Sequence, residues 1–139
     1  LFALAGVAGA IAAPIGGRLA DRGWSRPATA LAMLTVAGAF LMSQIAPQGS
    51  MLALAILVAA AILLDFGTTA NMTLGQRAIF SLRAELRGRL NGLYVAAFFI
   101  GCAVGSALGG WAFAEGGWTL AAWVGLAFPV VALAFFMTE

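Results

Sequence analysis

Five long apolar stretches, separated by short polar connections, make up almost the whole chain. A helix needs about 20 mostly apolar residues to cross the hydrocarbon core of a bilayer, and four of the stretches reach that length. A membrane-spanning strand would alternate in polarity over about ten residues, whereas these stretches are continuously apolar. We therefore expect an all-α fold, a polytopic membrane helix bundle with spans at residues 1–17, 27–46, 51–75, 91–114 and 118–137.

The composition supports a membrane protein and limits the chemistry available to it. Of the 139 residues, 63% are hydrophobic and 9% are charged, whereas a soluble domain carries about 25% charged residues. One cysteine and no histidine exclude an intrachain disulfide and a metal site built from cysteine and histidine. The chain also lacks a phosphate-binding Gly-x-x-x-x-Gly-Lys loop. We therefore expect no metal, no cofactor, no enzymatic activity and no nucleic-acid partner.

The arginines are distributed unevenly among the connections. All seven lie in the first and third connections, residues 17–26 and 76–92, and none lies in the second or fourth. Because cytoplasmic loops carry an excess of basic residues, we expect these connections and the C-terminus on the cytoplasmic side of the cell membrane (inner or plasma). The chain opens on Leu1 in apolar sequence, which we interpret as the end of a longer span.

A carboxylate interrupts the third apolar stretch. At about 100° per residue, Asp65, Thr69, Met72 and Gln76 share one helix face, with Thr68 at its border. An acid in the bilayer centre costs about 2.5–3.5 kcal/mol and usually marks a pathway for solutes or protons. We therefore expect this face to line a central cavity that binds a small solute and carries protons. A structural carboxylate, protonated or bonded to hydroxyls of a neighbouring helix, is the alternative.

Small residues recur every four positions in two of the stretches. Gly101, Gly105 and Gly109 form a groove in the fourth stretch, where a second helix backbone is able to approach closely. The first stretch has a similar series at Gly6, Ala10, Pro14 and Gly17. We expect two tight helix contacts, either static or sliding during a conformational cycle.

Two segments resemble transporters of the major facilitator superfamily. The segment "GRLADRGWSR" resembles that family's cytoplasmic loop signature, Gly-x-x-x-Asp-Arg/Lys-x-Gly followed by basic residues, in its second copy between helices eight and nine. Gly17, Asp21, Arg22 and Arg26 match the signature, and Trp24 stands where the second glycine is expected. The segments "LLDFG" and "NMTLGQRAIFSLRAELRGRLNGLYVAAFFIGCAVGSALGGW" resemble helices ten and eleven of bacterial efflux-type members.

The resemblance implies that the chain forms helices eight to twelve, five helices of the C-terminal six-helix half without its first helix. It places Asp65 beside the central cavity and both glycine-rich helices at the interface with the missing N-terminal half. It also implies that Asp21 lies against a helix N-terminus of that half when the cytoplasmic side is closed. The implied function is secondary active transport of a small organic solute by alternating access, with proton coupling. The alternative is a stand-alone structural or assembly protein that binds partners through its glycine-rich faces.

Overall fold

The chain folds as a bundle of long helices. The computed structural model describes residues 2–45 and 49–139, except the side chains of residues 2, 4 and 5. Its elements are α1 (Phe2–Asp21), α2 (Ser25–Ile45), α3 (Met51–Leu82), a short 3-10 turn (Ala84–Leu86) and α4 (Arg87–Met137). The described residues contain no strand, which confirms the all-α prediction. The ends of the predicted spans at residues 1 and 46 lie outside the described part.

Three helical segments are long and apolar enough to cross a membrane. They are Ser25–Ile45, Met51–Leu82 and Ala84–Met137. The third segment contains both of the last two predicted spans, and α1 contains residues 2–17 of the first. These lengths and compositions confirm a multi-pass helical membrane protein, while the five individual spans remain a prediction.

Two glycines break α4 into a hairpin. Gly116 has φ −135° and ψ 15°, and Gly117 has φ 63° and ψ −156°, a positive φ that glycine adopts without a steric penalty. The break divides the helix into α4a (87–115) and α4b (118–137). The amide of Gln44 near the end of α2 donates to the carbonyl of Thr119, 3.1 Å away. Phe136 at the other end of α4b lies beside the first turn of α2, so α4b runs antiparallel to α2.

α3 lies at the centre and sets the direction of its neighbours. α1 runs parallel to α3, because Gly9 lies against Asp65 and Gly17 lies against Arg77. α2 and α4a run antiparallel to α3. The C-terminal ends of α1 and α3 therefore meet the N-terminal ends of α2 and α4 at one end of the bundle. We call it the arginine end, because it carries all seven arginines.

Small side chains hold α2 and α3 together. A Cβ added at Gly67 would lie 2.7 Å from Cγ2 of Val36 and 2.9 Å from the carbonyl oxygen of Ala32. In lipid, helices associate through such close packing rather than through the release of water. The buried positions of α3 fall mostly on this side: Ala53, Ala60, Gly67, Ala70 and Leu74.

The helices extend beyond the apolar stretches. α1 continues to Asp21 and α2 begins at Ser25, so the predicted first connection is reduced to residues 22–24. α3 likewise continues from Gly75 to Leu82. The physical reason is that hydropathy marks only the part of a helix that suits lipid. The hydrogen-bond ladder continues through polar residues wherever they are good helix formers.

Candidate functional site

The carboxylate of Asp65 lies against the backbone of α1. A Cβ added at Gly9 would lie 2.6 Å from Oδ2 of Asp65 and 3.2 Å from Oγ1 of Thr69. Asp65 and Thr69 are both half-buried, and Gly9 is buried. The structure therefore brings together two of the predicted site residues and adds a third, Gly9, which the sequence does not predict.

The small residues of α1 are divided between a side that packs against α3 and an exposed side. Of the predicted series, Gly17 is buried against Arg77 of α3, whereas Gly6, Ala10 and Pro14 are exposed, and their contact with a helix outside this chain stays a prediction. Gly9 and Gly16, seven residues apart, also face α3. Small residues occur on both sides of α1, so their spacing alone does not identify the side that packs against α3. Only the side chains of α3 select the register that leaves room for Asp65.

Met72 and Gln76 occupy the same projected face of α3 as Asp65. Both are half-buried, and this face points away from the buried Gly67 and Leu74 that pack toward α2. The carbonyl of Met72 accepts a hydrogen bond from the Tyr94 hydroxyl, 3.3 Å away. The predicted polar face is thus the part of α3 that α2 does not cover, with α1 at its edge.

Thr68 lies on a different side of α3. It lines a cavity of about 490 Å³ between α2, α3 and both arms of α4. Cys102, Gly105 and Gly109 line the same cavity. The structure therefore separates Thr68 from Asp65 and Thr69, as its border position in the helical projection allows.

The glycine groove of α4a has no close helix partner in the described part of the chain. No described atom lies within 4 Å of a Cβ added at Gly101, Gly105 or Gly109. Close approaches occur elsewhere, at Gly75 against Tyr94 and at Gly125 against Phe40. A helix outside this chain as the partner of the groove remains a prediction.

An ion pair joins α1 to α3 at the arginine end. Nη1 of Arg77 donates to Oδ1 of Asp21, and the two side chains are 47% and 62% exposed, respectively. A Cβ added at Gly17 would lie 2.8 Å from Nη2 of Arg77, so the missing side chain of Gly17 gives the guanidinium room to reach Asp21. The distribution of arginines along the sequence does not predict that Arg77 is the partner of Asp21.

The two arginines of the signature, Arg22 and Arg26, do not take part in this ion pair. The backbone N–H of Arg22 donates to the carbonyl of Arg18, 3.2 Å away, as α1 ends. Gly23 follows with φ 76°, and its positive φ turns the chain toward α2. Arg26 lies in the first turn of α2, with its guanidinium 5.8 Å from the centroid of the Phe136 ring. Gly17, Asp21 and Arg26 thus lie within helices, and only Arg22 lies in the connection.

The described ranges contain no group of three or more His, Cys, Asp or Glu side chains able to hold a metal ion. The fold and the Asp65 face together define a polytopic helical membrane protein with an acid within its bundle. The family model of the Major Facilitator Superfamily matches residues 1–139. The chain belongs to this superfamily of membrane transporters. No curated protein and no solved structure matches it.

Proposed function

We propose that the chain is part of a secondary active transporter that moves a small organic solute across the cell membrane by alternating access. The observation that carries the proposal is the position of Asp65. This acid is half-buried at the edge of the α1–α3 contact, on the face of α3 that α2 leaves open. Acids at such positions in membrane proteins mark solute and proton pathways.

The isolation of this carboxylate supports proton coupling. Within residues 2–45 and 49–139, Asp21 and Arg77 form the single ion pair, and no basic side chain pairs with Asp65. A lone carboxylate is able to take up a proton from one side and release it to the other as water reaches it in turn. Protons suit the site better than sodium, which usually requires several oxygen ligands.

The Asp21–Arg77 pair serves as the cytoplasmic gate contact in this proposal. It joins the end of α1 to α3, the two helices that contain Gly9 and Asp65. Because Asp21 remains 62% exposed, a second contact with a helix N-terminus of the other half is sterically open. Such a contact favours the carboxylate through the partial positive charge of the helix end.

The central cavity needs a second wall, which we assign to the N-terminal half of the same transporter. In the glycine groove, Gly101 is exposed and open to such a partner, whereas Gly105 and Gly109 border the cavity that Thr68 lines. The same groove would suit a purely structural or assembly protein. Membership of a superfamily of transporters favours the transport role.

The test compares the intact carrier with its Asp65→Asn variant in proteoliposomes. Uptake of a panel of small organic solutes is measured with and without an imposed pH gradient. We expect the wild type to accumulate a solute when the gradient is present, and Asp65→Asn to lose this accumulation. Glu115→Gln is the matched control, because Glu115 is exposed at the opposite end of the bundle. Equal gradient-driven accumulation by wild type and Asp65→Asn would contradict the proposal.

A further inference from the structure

A second cavity, separate from the Asp65 face, opens at the arginine end of the bundle. It measures ≈ 330 Å³ and lies where α2, α3 and both arms of α4 meet. Its walls combine one cation, neutral polar groups and apolar side chains, among them Arg26, Thr29, Asn71, Leu74, Tyr94 and Phe136.

The cation of this cavity has no acidic partner. The guanidinium of Arg26 lies over the Phe136 ring, 5.8 Å from its centroid, which fixes its position without neutralising its charge. No carboxylate in the described part of the chain pairs with Arg26. The mouth of the cavity is therefore positively charged and complementary to an anion.

The neutral polar groups lie deeper than the cation. Asn71 is seven residues before Ala78 on α3, which places it about 10 Å further from the arginine end at 1.5 Å per residue. Its side chain is half-buried and forms no hydrogen bond with described residues. The hydroxyls of Tyr94 and Thr29 already donate to the carbonyls of Met72 and Ser25, whereas the Asn71 amide is a donor that is still available inside the cavity.

We propose that this cavity binds an anionic glycerophospholipid from the leaflet at the arginine end. The phosphate lies at Arg26, and an ester carbonyl of the glycerol backbone accepts a hydrogen bond from Asn71. The order from mouth to interior is thus charge, neutral donor and apolar wall, which is the order of groups along a phospholipid. Basic pockets between membrane helices recognise anionic headgroups through this combination.

The apolar walls favour a lipid over a free anion. Leu74, Ala78 and Phe136 contribute hydrophobic surface beside the charged mouth. Inorganic phosphate would gain no binding energy from these apolar side chains. The glycerol and upper acyl segments of a lipid would cover them and remove their surface from water. The proposal does not depend on transport, because lipid binding is measured directly.

The test measures retention of phosphatidylglycerol by the delipidated, intact carrier with native mass spectrometry. Phosphatidylcholine, glycerol phosphate and inorganic phosphate are the comparison probes. We expect one phosphatidylglycerol to be retained, and Arg26→Gln to weaken its retention at least about fivefold, the factor that corresponds to one basic contact. Arg22→Gln is the matched control, because Arg22 lies four residues away in the chain and does not line the cavity.

A second variant separates loss of the cavity from loss of folding. Ala78→Leu fills part of the cavity without changing any charge, and we expect it to reduce retention while thermal unfolding stays close to that of the wild type. Unchanged retention in Arg26→Gln, or an equal loss in Arg22→Gln, would overturn the proposal. Equally tight binding of glycerol phosphate or inorganic phosphate would also overturn it, since the ligand would then be a free anion.

Discussion

Arg77 of α3 passes over Gly17 to form an ion pair with Asp21 of α1. Gly17 and Asp21 are four residues apart, so they lie on the same face of α1. The glycine therefore gives space to the guanidinium, and the aspartate accepts its hydrogen bond. This relation gives a physical reason for a glycine and an acid at this spacing in the signature segment.

Loss of the ion pair is expected to affect the transport cycle more than stability. Exposed ion pairs contribute about 0–1 kcal/mol to stability, so Asp21→Asn is expected to shift thermal unfolding little. We expect a several-fold lower transport rate, because α1 and α3 lose their connection at the arginine end. The comparison requires unfolding curves and initial transport rates of the same preparations.

Gly17→Ala is expected to reproduce the effect of Asp21→Asn. The new Cβ would lie 2.8 Å from Nη2 of Arg77, and the flexible end of the arginine is able to move aside, which breaks the pair but keeps the fold. In a double-mutant cycle, the two changes are expected to be non-additive in transport rate, as for residues that act through one contact. Additive losses would show that Gly17 acts independently of the pair.

Gly9→Ala is expected to impair gradient-driven transport at least about tenfold, a change of about 1.4 kcal/mol in the underlying free energy. The added methyl group would lie 2.6 Å from Oδ2 of Asp65. The carboxylate must therefore rotate, while the helix backbone has no reason to move.

The matched control for this change is Gly38→Ala in α2, because no described atom lies within 4 Å of a Cβ at Gly38. It adds the same methyl group inside a helix, and we expect nearly wild-type transport. Equal effects of the two substitutions would indicate that the loss does not come from the position of Asp65.

Asp65→Cys is expected to react with a water-soluble thiol reagent in at least one conformational state of the intact carrier. The experiment is done in a background in which Cys102, the single cysteine of these 139 residues, and any cysteine elsewhere in the carrier are replaced by alanine. Labelling from either side is followed by mass spectrometry. Protection from both sides in every state would identify Asp65 as a structural carboxylate packed between helices.

Gly67→Ala is expected to destabilise the bundle by about 1–3 kcal/mol, the usual cost of overpacking. Its Cβ would lie 2.9 Å from the carbonyl oxygen of Ala32, a backbone atom that cannot rotate away. Gly38→Ala in α2 is the control, since no described atom lies within 4 Å of its Cβ. That control is expected to be neutral or stabilising by up to about 1 kcal/mol through helix propensity. Thermal unfolding in detergent measures both.

The sequence by itself determines the helical class and the arginine end. Both depend on properties that are local or linear along the chain, namely continuous apolar stretches and the order of charged connections. It also determines that Asp65 and Thr69 share a face, because the helical repeat alone relates them. The sequence alone identifies Asp65 as a candidate site residue, because placing a charge in lipid is costly at any position.

Only the tertiary structure decides which residues of other helices these groups meet. Gly9 rather than Gly6 contacts Asp65, and Arg77 rather than another arginine pairs with Asp21. The sequence leaves such choices open because several small residues on α1 offer similar room, and several arginines lie within reach of the same end. The rotation and axial offset of α1 against α3 select one partner, and these depend on packing along the entire length of both helices.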